Sequence, residues 1–435
     1  MTTIIFGILA LLMVLVLLGV HVAVALAVVS ALGVYWMIGS ADVALSILGT
    51  TAYEALRKDI FIIIPLFVLM GDFVSRSGAA RDLYGLCNRG FRRLPGCLGV
   101  ATVMGNAVFA AITGVSIASA ATFSRIAYPE MIALGYSRPY ALGTIAGSAC
   151  LGMLIPPSIL MIVWAVLTEQ SIGALFIAGL LPGLLLATLF GLYCALRAIW
   201  RPQDAPRGTE APRAPGDLSR EIIGGGTILV LIGIVIGGIW GGVLTPTEAA
   251  GFGAAGAFVL GLLRGMRVRE VLEAVYNAGR TTAPIMILLI TASMYSRFLA
   301  MAGATQVING LLLSISDSTA VIVLIIFLIW LVLGMFIDST SIILLTVPIF
   351  APVANTLGLD PLAFAIFGVL VIEAGLLTPP FGILVFTVKA AVPDPTVRLG
   401  EIFRGAVPFW LLILFVAVLA ILWPPLSTWL PQTYL

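Results

Sequence analysis

Charge is scarce in this chain. Of its 435 residues only 10% are Asp, Glu, Lys or Arg, while 61% are hydrophobic. Soluble domains carry about 25% charged residues, so a water-soluble globular fold is excluded. Histidine occurs once, as His21, which rules out HExxH zinc sites and histidine clusters. Cys87, Cys97, Cys150 and Cys194 show no CxxC spacing and lie in or beside apolar runs, so packing accounts for them better than disulfides or metal. No nucleophile–base pair and no paired catalytic carboxylates stand in the apolar runs, so an intramembrane enzyme lacks its parts. Neither catalysis nor a resident cofactor is expected. The ten-residue alternation of an outer-membrane barrel is absent as well.

What the chain has is apolar runs of membrane-spanning length from end to end, as at Ile222–Gly242 and Ala320–Phe336; a helical span needs about 20 residues. The fold class is therefore an all-α polytopic membrane protein. Spans are expected near 3–18, 22–38, 60–76, 138–168, 173–197, 222–242, 246–263, 283–300, 362–388 and 404–422. The opening run Ile4–Val20, with no preceding basic segment and no clean cleavage site, reads as a first helix and not as a cleaved signal.

Two further stretches fit poorly as single helices. The first, about 97–124, contains "FAAITGVSIASAATFS", dense in small and hydroxyl residues; the second, about 320–352, contains "LGMFIDSTSIILLTVPIF", with an aspartate and three hydroxyls mid-run. Both suit helical hairpins that enter the membrane and return on the same side, because irregular backbone at that depth is tolerated only where protein buries it or it lines a cavity. Arginine placement agrees. With two re-entrant hairpins, the segments 76–93, 125–138, 197–221, 264–280 and 389–404 share one face and hold nearly all the arginines, while the other face holds Arg57 and Lys58. The positive-inside rule then makes the arginine-rich face cytoplasmic and puts both termini outside.

The segment Arg201–Arg220, "RPQDAPRGTEAPRAPGDLSR", is the only extended hydrophilic stretch. Its Pro, Gly and mixed charge mark a cytoplasmic linker, and its acidic residues argue against nucleic acid. The boundaries are thus a first repeat over 1–200, a linker over 201–221 and a second repeat over 222–435. "GMLIPPSIL" (152–160) returns as "GLLTPPFGIL" (375–384); Ser116 lies 40 residues before Pro156, and Ser339 lies 40 before Pro379. A proline pair removes two backbone donors and breaks a helix, so the spans 138–168 and 362–388 are each broken. One hairpin entering from the cytoplasm and one from outside makes an inverted repeat, the plan common in secondary transporters. "GFGAAG" (251–256) satisfies GxGxxG but lies inside an apolar helix with no strand before it, so it carries no dinucleotide site.

Interrupted helices expose carbonyls at C-terminal ends and N–H groups at N-terminal ends. Carbonyls with hydroxyls suit Na⁺, and N-terminal N–H groups suit a carboxylate. Thr113, Ser116, Ser119, Ser158, Ser339, Thr340, Ser341 and Thr378 cluster at these interruptions. Asp338 is costly at mid-membrane and is expected to be functional. Glu373, six residues before Pro379, is placed to tie a hairpin to a broken helix, a structural role shared with Pro156, Pro157, Pro379 and Pro380.

At these residues the sequence resembles the large membrane subunit of tripartite ATP-independent periplasmic (TRAP) transporters. The likeness runs over nearly the whole chain, through "PLFVLMGDFVSRSGAARDLYG", "YPEMIALGY", "LTPTEAA", "DPLAFAIFGVL" and "EAGLLTPPFGILVF". The resemblance implies a Na⁺-coupled importer of small organic anions, dicarboxylates or sugar acids, in the bacterial inner membrane. It implies as partners a periplasmic substrate-binding protein and a small four-helix membrane subunit, and a fold in which a transport domain moves against a scaffold like an elevator. It places substrate contacts near Ser116, Ser158 and Asp338. Na⁺ would be held by Thr113, Gly114 and Ser116 with the Pro156 break, and by Gly334, Asp338 and Thr340 with the Thr378 break. The family's first hairpin usually reads Ser-Gly-Ser-Ser; here Val115 offers no side-chain oxygen. The alternative is a stand-alone Na⁺- or H⁺-coupled carboxylate transporter of related inverted-repeat architecture.

Overall fold

The computed structural model describes residues 2–58, 60–206, 217–316 and 318–434. Among them every regular element is helical, as lipid demands of any structure that is not a closed barrel. The chain opens with α1 (Thr2–Leu17), α2 (Val22–Ile38), α3 (Ala41–Arg57), α4 (Ile60–Arg76) and α5 (Ala79–Phe91). A hairpin follows, α6 (Cys97–Thr113) and α7 (Ser116–Ala133), then α8 (Arg138–Ala149), a 3-10 turn Cys150–Met153, α9 (Ile159–Thr168) and α10 (Ile172–Trp200). The second half begins with α11 (Asp217–Trp240), α12 (Pro246–Leu263), α13 (Val268–Ala302) and α14 (Ala304–Ile315). A second hairpin, α15 (Thr319–Phe336) and α16 (Ser339–Thr356), leads to α17 (Pro361–Gly375), α18 (Ile383–Ala391), α19 (Leu399–Leu422) and α20 (Pro425–Tyr434). The order hairpin, helix, Pro-Pro break, short helix, long helix therefore occurs twice.

Seven helices among the described residues, α10 to α13, α15, α16 and α19, are each long and apolar enough to cross a membrane, and α4 with α5 passes the same test only as a pair, bent by 71°. The protein is a multi-pass membrane protein. The bend falls at Ser77–Gly78, where Gly78 takes φ 74°, a conformation costly for residues with a Cβ.

Several helices exceed the expected spans. α13 starts at Val268 and runs 35 residues, whereas hydropathy marks only 283–300, because its first turns carry Arg269, Glu270 and Glu273. α3 buries Ala44, Leu48 and Ala55 on one stripe, a helical period in a segment too polar to read as a span. The expected span 138–168 is α8, the 3-10 turn and α9 in succession. Of the expected linker 201–221, residues 207–216, with Arg207 and Arg213, lie outside the described residues, and α11 already begins at Asp217.

Between helices in lipid there is little hydrophobic driving force, so close approach through small residues matters. α8 crosses α19 at Gly143 and Gly405, where a Cβ on either would overlap backbone of the other helix. Where α15 meets α17, a Cβ on Gly334 would stand 2.8 Å from Gly375 Cα. Trp164, Trp330, Phe364 and Phe367 form a buried aromatic cluster over Gly368, with Trp164 and Trp330 edge-to-face at 5.9 Å. At the arginine-rich end Asp394 accepts from the Tyr128 hydroxyl at 2.9 Å and pairs with Arg138 at 3.2 Å, joining α7, α8 and the segment before α19. The Thr396 hydroxyl and amide, then Tyr128, hold the Asp394 carboxyl below its usual range, so the joint stays ionised at ordinary pH.

Gly405→Ala is expected to lower thermal stability in detergent by about 1–3 kcal/mol through overpacking. Gly400→Ala, in open space on the same helix, is expected to be neutral or stabilising by up to about 1 kcal/mol. Equal unfolding midpoints for the two variants would refute the contact.

Candidate functional site

The two hairpins are built alike. In the first, Phe109 stacks edge-on to Phe123 at 5.8 Å, and Thr102 near its base reaches Met131, so α6 and α7 run antiparallel. Gly114 makes the turn with φ 60° and its N–H returns to Ala110 O. In the second, the Trp330 indole donates to Thr346 at 2.8 Å and its ring meets Phe350 at 5.7 Å, which makes α15 and α16 antiparallel too.

Each tip rests on one proline break. Gly114 O accepts from Ile159 N at 3.3 Å, and a Cβ on Gly114 would lie 2.6 Å from Pro157 O. Met335 O at the second tip accepts from Gly382 N at 3.3 Å. Both breaks contain a cis Pro-Pro bond. A helix continuing through Pro157 would satisfy Met153 O from the missing N–H; instead the Ser158 hydroxyl donates to Met153 O at 2.6 Å. Pro379 likewise cannot serve Gly375 O, which accepts instead from the Thr378 hydroxyl at 2.7 Å and the Thr378 amide at 3.0 Å. The two hydroxyls thus replace the donors that proline removes. Ser158 also caps α9 through Met161 N.

The tips meet at one side chain. The Ser116 hydroxyl, at the start of α7, donates to Glu373 Oε2 at 2.6 Å, and the Ser339 hydroxyl, at the start of α16, donates to Glu373 Oε1 at 2.7 Å. All three residues are buried. Both donors stand at the first position of a helix, the end that favours negative charge. Among the described residues no Lys or Arg pairs with Glu373. Cys150 Sγ lies 3.8 Å from Glu373 O.

The remaining expected residues fall around this centre. Thr113 is buried, donates to Phe109 O at 3.2 Å and lies 3.4 Å from the Ser119 hydroxyl. Gly334 is buried against Gly375. Pro156 and Pro157 are buried, whereas Pro379 and Pro380 are exposed. Val115 occupies the N-cap of α7 and supplies no cap. Asp338 is the N-cap of α16, accepting from Ser341 N at 3.0 Å and Ser341 Oγ at 2.6 Å. Beyond that cap, Asp338 and half-buried Thr340 line a cavity of about 420 Å³ with His21, Gly19, Pro284 and Leu288, between the second tip, the α1–α2 turn and α13. His21 in this wall was not foreseen; its one sequence signal is a polar residue between two apolar helices.

Paired hairpins set on paired helix breaks around one buried carboxylate define a polytopic membrane permease. Residues 9–426 match the family described as tripartite ATP-independent periplasmic transporter, DctM component. The chain is 34% identical to the C4-dicarboxylate TRAP transporter large permease protein DctM of Pseudomonas aeruginosa, over 87% of this chain and 88% of that one. It is 30% identical to the ectoine TRAP transporter large permease protein TeaC of Halomonas elongata over 96% of each. It is 29% identical to the sialic acid TRAP transporter large permease protein SiaM of Vibrio cholerae over 86% of each. A crystal structure of the Alcanivorax borkumensis YdaH transporter shares the fold with a TM-score of 0.65 at 16% identity, covering 89% of this chain and 91% of that one. This chain belongs to the TRAP transporter large permease family; it is a transporter subunit and not an enzyme.

Ser116→Ala and Ser339→Ala are each expected to lower stability by about 1.5–3 kcal/mol, the worth of a hydrogen bond to a charged group. In a Glu373→Ala background each should cost no more than a few tenths. Equal costs in both backgrounds, measured by unfolding in detergent, would sink the bridge.

Proposed function

We propose that this chain is the transport subunit of a Na⁺-coupled importer of a small organic anion in a bacterial inner membrane. A periplasmic substrate-binding protein would deliver the solute, and a small four-helix membrane subunit would stand beside the permease. The observation that carries the reading is the meeting of both hairpin tips at Glu373, each tip resting on one proline break. A buried carboxylate with two hydroxyl donors and no paired side-chain cation favours a cation nearby. The hydroxyls of Thr113 and Thr378 donate to carbonyls and keep lone pairs to offer it, as do the Gly114 and Gly334 carbonyls.

Thr113, Gly114, Ser116 and Pro156 would hold one Na⁺; Gly334, Asp338, Thr340 and Thr378 would hold another. The substrate would lie against the tips, with Ser116, Ser158 and Asp338 near it. The cavity beside Asp338 falls in the usual size range for small-ligand pockets, about 300–1,000 Å³. The relatives' names cover a dicarboxylate, ectoine and a sialic acid; the N-termini of α7 and α16 favour the anionic members of that range.

Both hairpins are read as re-entrant from opposite faces, with both chain termini periplasmic. Two antiparallel hairpins whose tips meet at a buried point support this, although α15 and α16 have 18 residues each, about 27 Å. In the elevator reading, the hairpins and broken helices move as one body against a scaffold that includes α1, α2, α4 and α11 to α13.

In proteoliposomes holding the assembled transporter and its loaded binding protein, uptake is expected to require an inward Na⁺ gradient. Uptake that persists unchanged without it would overturn the coupling. Asp338→Ala is expected to abolish uptake while costing about 1 kcal/mol of stability through the lost cap. Near-normal transport would remove Asp338 from the site.

A further inference from the structure

At the arginine-rich end, away from Glu373, α8, α10 and α19 enclose a cavity of about 490 Å³. Three guanidinium groups line it. Arg197 and Arg201 stand one turn apart at the end of α10, and Arg404 comes from the beginning of α19. The only carboxylate in the lining is Asp204, and it is committed to Arg197, with contacts of 2.8 and 2.9 Å. Arg201 and Arg404 have no carboxylate partner among the described residues, and Arg138 nearby is already taken by Asp394. Like charges gathered around one cavity repel unless an anion sits among them. A segment that folds back toward the cavity, with Ser137 N donating to Asp204 O at 3.0 Å, fixes the carboxylate and leaves the other two cations without a carboxylate among the described residues.

The remaining wall is apolar or amphipathic: Tyr140, Tyr193, Val407, Pro408 and Phe409. Apolar side chains around it are exposed. Trp200 is 74% exposed next to Arg201, and Val407 and Leu411 on α19 are 39% and 50% exposed. A tryptophan beside arginines at a helix end is the signature of the membrane–water boundary. The cavity therefore offers cations at headgroup depth and aromatic and aliphatic walls toward the acyl region. Basic pockets between transmembrane helices suit lipid phosphates in this setting.

We propose that this cavity binds the phosphodiester headgroup of an anionic phospholipid, with Arg201 and Arg404 as its principal cations and Arg197 held in place by Asp204. The bound lipid ties together α8, α10 and α19, of which α8 leads into the first proline break and α19 follows the second. The site requires only that the chain lies in a bilayer, and stands apart from Na⁺ coupling and from the identity of the solute.

The test is lipid titration of the purified full-length chain in detergent, read by native mass spectrometry, with phosphatidylglycerol as the anionic probe and phosphatidylcholine as the neutral one. Phosphatidylglycerol is expected to bind more tightly than phosphatidylcholine. Arg201→Gln and Arg404→Gln should each weaken it about fivefold and the double variant about thirtyfold, with phosphatidylcholine binding unchanged. Inorganic phosphate at millimolar concentration should fail to displace the lipid. The unfolding midpoint of each variant serves as the fold control, and the single variants carry the test if the double variant is unstable. Phosphatidylglycerol affinity within twofold of the parent in both single variants would overturn the proposal, as would ready displacement by inorganic phosphate, the mark of a free-anion site.

Discussion

The hydrogen bonds from Ser116 and Ser339 to the two oxygens of Glu373 are the constraint around which the rest of the molecule is arranged. A carboxylate in an apolar helix is costly, and α17 accommodates Glu373, near its C-terminal end, by presenting it to two helix beginnings at once. The donors must be short, which selects serine, and the backbones must come close, which selects glycine at 114, 334 and 375. The proline breaks follow from the same requirement. Each helix ends where a tip approaches it, and the Ser158 and Thr378 hydroxyls serve carbonyls left open by that ending.

Much of this was legible in the sequence because hydropathy and proline act locally. Long apolar runs marked the spans, and the density of Gly, Ser and Thr marked both hairpins, whose residues do form antiparallel pairs. The repeated Pro-Pro words marked both breaks. Other features were hidden for physical reasons. α3 and the first turns of α13 carry enough charge to fall below any hydropathy threshold, although their helical period is plain once sought. Ser158, Thr378 and Asp338 are ligand candidates in the sequence; what the fold shows is that each hydrogen-bonds a neighbouring backbone group. That Glu373 joins two tips, and not one, depends on a contact across 257 residues, which no local pattern encodes.

The two ends of the molecule are tied with unequal strength. At the arginine-rich end Arg89 pairs with Glu221, Arg264 with Asp82 and Arg76 with Glu273, linking α4 and α5 to α11, the end of α12 and α13. Asp82 is buried there, so its pairing is screened less than a surface bridge would be. At the opposite end, the ion pair among the described residues is Lys58 with Glu169 at 4.0 Å, with side chains 50% and 84% exposed. Exposed pairs of that kind contribute about 0–1 kcal/mol. Glu169 is also the one described non-glycine residue at positive φ, 56°. These helices are thus stapled at one end of the molecule and lightly held at the other.

The span between Ser116 and Glu373 also governs how the protein is made. Synthesis proceeds at about 5–20 residues per second, so Glu373 leaves the ribosome about 10–50 seconds after Ser116. During that interval the first hairpin exists without the carboxylate that its tip serine serves, and α7 begins at an N-cap valine that offers no substitute. The Ser116 hydrogen bond cannot form until α17 arrives. The contact between Ser116 and Glu373 therefore closes only once both halves have been made.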